Sequence, residues 1–390
     1  MPRTVILSAK RTPIGRFLGG LSRVPAPKLG AAAIGAALAD AGVAAPEVQE
    51  CFMGSVLQAG LGQNPARQAA LGAGLSDTTP CTTINKVCGS GLEAVMIADR
   101  SIRSGDIDLA VAGGMENMSA APHLASVRSG LKFGDGTLVD HMSHDGLTCA
   151  FEGWGMGNAA EWVAETFNIS REAQDAFAAA SHQKATAAAQ AGWFDAELIP
   201  LEAAAIKQRK DVTADEGIRG DSTAESLGGL RPAFSKDGTV TAGNASQISD
   251  GAAAVVISSS EKATELGIEP VVTIIDHGTV GVSPKEIFTA PAVGVAALLQ
   301  ANGLTVDDID LFELNEAFAA QSLQNIEALG IAPEKINICG GAIALGHPIG
   351  GSGARVLVTL VHQMIRTGAK RGVVSLCLGG GNAVSMLLER

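Results

Sequence analysis

Residues 88–114 read CGSGLEAVMIADRSIRSGDIDLAVAGG, and residues 350–381 read GGSGARVLVTLVHQMIRTGAKRGVVSLCLGGG. Gly89-Ser90-Gly91 stands 262 positions before Gly351-Ser352-Gly353, and Ile102-Arg103-Ser104-Gly105 stands 263 before Ile365-Arg366-Thr367-Gly368. Upstream, AALADAG ahead of the apolar run Val48–Met53 mirrors AALLQANG ahead of Ile309–Leu314, again at an offset near 260. One nearly constant offset over three elements marks a duplication.

Each copy alternates strand and helix. VILSA reads as a strand, Leu29–Ala41 has helical spacing, CFMGSV is a strand, Gly91–Arg103 a helix opened by glycines, and LAVAGG a buried strand. Such alternation predicts an α/β molecule of two duplicated halves related by a pseudo-twofold, with mixed, mostly parallel sheets covered by helices. Functional side chains are then expected at the carboxyl ends of strands. The copies span 1–117 and 270–390. Residues 118–249 follow another pattern, with loop-like clusters and one long helix over Ser170–Ala191. The strand GAAAVVISS (251–259) is expected to return to the first half. The expected units are therefore 1–117 with 250–269, an inserted loop domain over 118–249, and 270–390.

Composition narrows the class. Of 390 residues, 46% are hydrophobic and 17% charged, which is too apolar for disorder. No apolar run reaches the roughly 18 residues of a membrane helix. With 28 basic against 40 acidic side chains, the net charge of -12 argues against general nucleic-acid binding. Val5–Ala9 is too short for a secretory core, and the six cysteines form no CxxC pair. A reducing, cytoplasmic setting without membrane or nucleic-acid partners is the expectation.

Reactive groups fall at turns. Cys88, in NKVCGSG, sits between a strand and a glycine-opened helix, where free N–H groups and the helix dipole favour a thiolate. His347 lies in GGAIALGHPIGGSGAR, with room around it left by glycines. Cys377 ends the strand GVVSLC, and Asn315, in FELNEAF, ends another. One thiol with a histidine base suits acyl transfer, and a second thiol adds an acid/base partner. A zinc site competes, since Cys, Cys and His are good ligands, but no two are closely spaced. No metal is expected.

VCGSG around Cys88, NEAF around Asn315, GHPIG around His347 and CLGGGN around Cys377 resemble the four signature blocks of the thiolase family, nearest its biosynthetic acetyl-CoA acetyltransferase members. The resemblance covers essentially the whole chain, including SAKRTPIG, AGGMENMS, RPAF and TAGNAS. It implies that Cys88 attacks an acyl-CoA thioester, His347 draws off its proton, and Cys377 deprotonates the α-carbon of a second acetyl-CoA. It also implies one anion site at His347 with a water held by Asn315, and another at the N–H groups of Cys88 and Gly379. Coenzyme A, as substrate and product with no further cofactor, would meet Arg219 and Ser226 at its nucleotide end. Leu147, Ala242, Ser246, Ala317 and Phe318 would line its pantetheine channel, and Met156 would lie beside the acyl group.

Four stretches depart from the family pattern. Trp154-Gly155-Met156-Gly157 stands for YHMG, Ile287-Phe288-Thr289-Ala290-Pro291 for a stretch carrying a Met-Gly pair, Cys149 for the aspartate of GLTDAF, and Gln247 for the glycine of TAGNASG. Phe288 adds bulk near the acyl pocket or shifts its loop. The resemblance implies reversible condensation of two acetyl-CoA to acetoacetyl-CoA, with a broader-chain 3-ketoacyl-CoA thiolase of fatty-acid degradation as the alternative. A decarboxylating condensing enzyme would need a second histidine where Asn315 stands, and a non-catalytic CoA- or lipid-binding relative would be expected to lack a reactive group. The loop SGLKFGDGTLVDHM resembles the one that pairs family dimers, so a homotetramer, a dimer of dimers, is expected.

Overall fold

The computed structural model describes residues 3–390. The chain opens with β1 (Thr4–Arg11), the short β2 (Gly15–Arg16), α1 (Ala26–Ala41), β3 (Glu50–Gly54), α2 (Pro65–Gly72), β4 (Cys81–Ile84), α3 (Ser90–Ser104) and β5 (Leu109–Asn117). The hairpin β6 (His123–Leu124) and β7 (Val139–Asp140) follows, then α4 (Met156–Thr166), α5 (Arg171–Gln190), α6 (Ala203–Ile206) and α7 (Ala224–Gly228). Strand β8 (Ser249–Ser259) and α8 (Ser260–Leu266) lead into β9 (Val272–Gly281), α9 (Ala290–Ala301), β10 (Leu311–Leu314), α10 (Ala319–Leu329), α11 (Ala342–Leu345), α12 (Ile349–Thr367), β11 (Arg371–Leu378) and β12 (Asn382–Glu389).

The halves repeat the same ladders. In the first, β4-β3-β5-β8-β1 are neighbours; in the second, β10-β11-β12-β9 are, and β1 joins β9 over Thr4–Ile6. Parallel pairing occurs where helices cross over between strands: β3 with β4 and β5, and β10 with β11. Antiparallel ladders join β8 to β5 and β1, and β12 to β11 and β9. The sheet is therefore mixed, because each half closes on a strand that runs back along its neighbours. In place of a partner like β4, the second half has one parallel bridge, Phe312 to Ile336.

The core has a helical layer in the middle. One apolar cluster combines α3 and α12 with one face of both halves of the sheet, taking Ala253, Val255 and Ile257 from β8 and Val384 and Met386 from β12. The other face of the first half's strands packs on α1 and α2, and a separate cluster joins α9 to the strands of the second half. Alternate residues of β8 thus enter different clusters, so the whole strand is buried and reads as an unbroken apolar run.

Helices α3 and α12 cross at their first turns. A Cβ on Gly91 would meet the Ala354 backbone nitrogen at 2.7 Å, and one on Gly353 would collide with the Leu92 nitrogen. These glycines are equivalent in the duplication, and only a residue without a side chain permits such backbone contact. The crossing brings the segments just ahead of each helix, those of Cys88 and His347, to the same end of the molecule.

Candidate active site

Cys88 occupies the turn between β4 and α3. The preceding Val87 has φ 48°, an uncommon backbone for a β-branched residue. Ser90 stabilises that turn: its Oγ donates to the Val87 carbonyl at 2.6 Å and accepts from the Lys86 N–H at 2.8 Å. From the second half, Leu378 presses against the Cα of Gly89 so closely that a Cβ there would clash. The backbone N–H groups of Cys88 and Gly379 both face the Cys88 sulfur.

The expectation of a resting thiolate is not met. Burial pushes the Cys88 thiol up to about 12, and the charge of Glu116 adds to this, outweighing the two N–H groups. Burial also holds the Cys377 thiol well above its usual range, and a negative charge on Cys88 would raise it further. Both cysteines therefore rest as thiols, and ionisation must accompany proton removal.

His347 is the group suited to remove that proton. Its Nδ1 lies 2.6 Å from Ser352 Oγ, which itself donates to the Pro348 carbonyl at 2.9 Å. With its own hydrogen committed, Ser352 accepts, so Nδ1 carries the proton and Nε2 the lone pair. Asn315 Nδ2 lies 3.4 Å from Nε2, and Arg355 Nη2 donates to Asn315 Oδ1 at 3.4 Å, which fixes the amide's orientation. Arg355 also pairs with Glu313 at 3.2 Å. Burial, assisted by the Arg355 charge, pulls the His347 imidazole down to about 3, so it is neutral near pH 7.

Glu116 braces this assembly. Its carboxylate accepts from the N–H groups of Val56, Leu57 and Gly350 at 2.9–3.1 Å, joining the first half to the start of α12. Burial raises it to about 7 despite these bonds.

Cys88, His347 and Cys377 all open onto one cavity of about 580 Å³. Of the residues expected along the substrate channel, Leu147, Met156, Ala242 and Ser246 line it. Ala317, Phe318 and, at the exposed rim, Arg219 line it as well. Asn315 lies behind His347, and Gly379 meets the site through its N–H. Ser226 is apart from the lining: it is exposed, and its hydroxyl is engaged with Thr223 in the capping box of α7. Phe288 is buried at the wall, 5.3 Å from the Phe318 ring. Sequence reasoning missed Ser352, Arg355, Glu116, Met118 and Phe234. The repeat of Ser90 at Ser352 was a signal for the first, whereas the others act or line the cavity through contacts distant in sequence.

A duplicated α/β scaffold with two thiols and a neutral histidine around a deep cavity defines a class, and the chain belongs to the thiolase family: residues 4–261 match its N-terminal domain and residues 268–390 its C-terminal domain. Among its relatives is an acetyl-CoA acetyltransferase of Cupriavidus necator, 52% identical over 395 residues and spanning 100% of both chains. One of Chromobacterium violaceum with the same name is 51% identical over 390 residues, 99% of each chain. The crystal structure of the Bacillus anthracis acetyl-CoA acetyltransferase superposes with a TM-score of 0.96 at 40% identity, covering 100% of this chain and 99% of that one.

Proposed function

We propose that this protein is an acetyl-CoA C-acetyltransferase that joins two acetyl-CoA into acetoacetyl-CoA and CoA, reversibly, through an acyl-enzyme on Cys88. The observation that carries this reading is the pair of raised thiols facing one cavity beside a neutral histidine that keeps its proton on Nδ1 and its lone pair on Nε2. Cys88 Sγ attacks the thioester carbonyl as its proton passes to Nε2 of His347. The oxyanion that forms is met by the N–H groups of Cys88 and Gly379, a type of contact worth about 3–4 kcal/mol in the transition state. CoA leaves as the thiol with the proton returned from His347. Cys377 then gives its thiol proton to Nε2 of His347 and, as a thiolate, takes a proton from the methyl group of a second acetyl-CoA, while the enolate oxygen accepts from that Nε2–H and from a water held by Asn315. The carbanion attacks the acyl carbon, and Cys88 leaves as the thiol with the proton returned from His347. Leu147, Ala242, Ser246, Ala317 and Phe318 hold the pantetheine arm, Met156 lies beside the acyl group, and Arg219 and Ser226 serve the nucleotide end.

Phe288, wedged against Phe318, shortens the acyl end and supports a preference for acetoacetyl-CoA over longer 3-oxoacyl-CoA. The test is thiolysis with free CoA, following loss of enolate absorbance across chain lengths. Preference for acetoacetyl-CoA is expected; equal or faster cleavage of longer chains would instead make the protein a broad 3-ketoacyl-CoA thiolase of fatty-acid metabolism.

The hairpin β6–β7 exposes Leu131, Phe133 and Leu138 on its loop, with Phe133 fully in solvent. Such an apolar tip is suited to contact another copy, and a tetramer built as a dimer of dimers accounts for it. Six free cysteines fit a cytoplasmic setting. No helix among the described residues is long and apolar enough to cross a membrane.

A further inference from the structure

Gln247 stands where the family pattern has glycine, and its side chain is engaged with three segments. Its Nε2 donates to the carbonyls of Gly217 at 2.9 Å, Ile343 at 3.0 Å and Ala344 at 3.3 Å. Three carbonyl oxygens around one end of the amide fix its orientation, since only the NH2 group can donate to them. Ile343 and Ala344 belong to the one-turn helix α11, and their carbonyls lack the helical partner that the Gly346 N–H gives Ala342. From the other side, the Gln247 carbonyl accepts from the His347 N–H at 3.0 Å and from Ser249 Oγ at 2.9 Å. The five-residue turn 343–347 is thus held at both ends by one residue.

The third contact reaches the inserted segment. Gly217 lies two residues before Arg219, and a Cβ on it would meet the Ala344 carbonyl oxygen at 2.7 Å and Gln247 Nε2 at 2.9 Å. There is no room for slack between these strands of chain. Gln247 also lines the substrate cavity with Ser246 and Arg219.

We infer that Gln247 is a positioning residue that fixes the His347 turn and ties it to the loop carrying Arg219, so that the base and the nucleotide-binding loop share one anchor. The inference rests on the proposed acyl-CoA reaction. It concerns placement only, since Gln247 moves no proton in that scheme.

The test compares wild type, Gln247→Gly and Gln247→Glu on two substrates: acetoacetyl-CoA and the acetoacetyl thioester of N-acetylcysteamine, which lacks the nucleotide end. Loss of the anchor is expected to lower kcat about tenfold on both substrates, the scale on which misplacement of a catalytic group acts. KM is expected to rise several-fold for the CoA substrate alone. Gln247→Glu keeps the shape but has no N–H at neutral pH and is expected to fare no better than glycine. Wild-type kcat in a folded Gln247→Gly protein, or a KM rise of the same size on both substrates, would overturn the inference. A crystal structure of that variant with residues 343–347 and 217 unmoved would overturn it independently of any activity. Absence of turnover by the wild type would count against the proposed reaction, which separates the two failures.

Discussion

Helices α3 and α12 are copies of one element, and their first turns do different work. Both carry Gly-Ser-Gly, both end on left-handed glycines, Gly105 and Gly368, and each uses its serine hydroxyl to hold a nearby carbonyl. In the first copy, Ser90 fixes the strained Val87 and so aims Cys88. In the second, Ser352 fixes Pro348 and accepts from Nδ1 of His347. The position matching Cys88 is Gly350, whose N–H is bound by Glu116. The duplication supplied two equivalent mounts, and a nucleophile on one and a base ahead of the other turned them into a site. The difference teaches that the fold's symmetry provides placement while asymmetric side chains provide chemistry.

Five perturbations bear on this comparison. Removing the nucleophile acts on the first mount: Cys88→Ser is expected to cut turnover by about 10⁴-fold or more and abolish the acyl adduct seen by mass spectrometry, with melting unchanged. Substantial residual turnover would break the assignment of roles. Cys377→Ala separates the half-reactions: the acyl-enzyme should still form from acetyl-CoA while condensation falls about 10³-fold, within the range of losing an acid/base group. Loss of both activities would show that the second thiol also serves the first step.

Ser352→Ala removes the acceptor that sets the His347 tautomer. A fall of about ten- to a hundredfold in acyl-enzyme formation is expected, because misoriented imidazole is a poorer base. The matching Ser90→Ala should weaken the Cys88 turn and leave the histidine's pH dependence intact, so equal effects on that dependence would undo the contrast between the mounts. The smallest effect is that of pH. A depressed imidazole loses its base form only as pH falls toward about 3, so acyl-enzyme formation should change less than about threefold between pH 7 and 5. A tenfold fall over that interval, measured by rapid quench and retained in Glu116→Gln, would mean that His347 is far more hydrated than its burial implies.

Much of this architecture is readable in the chain because it rests on local punctuation. The helices begin and end where the glycine, serine and proline residues place them: α5 starts on Ser170, whose side chain accepts from the Ala173 N–H, and α1 ends on Gly42 at φ 67°. The strand at 249–259 reads as apolar throughout because both faces are covered. Its direction, antiparallel to β5 and β1, does not follow from that pattern, since burial on two faces is compatible with either pairing.

By itself the sequence determined the duplication, the alternation of strands and helices, and the placing of Cys88, Asn315, His347 and Cys377 at element ends, since each depends on neighbours a few residues away. Only the tertiary structure decided how those ends meet and in what protonation state. The Gly91–Gly353 crossing sets the meeting, and Gly379, 291 residues after Cys88, supplies one of the two N–H groups at its sulfur. A helix start favours a thiolate, yet exclusion of water by residues from both halves holds the thiols protonated and the imidazole neutral. Desolvation belongs to the packed assembly, so it could not be read from any one stretch of the chain.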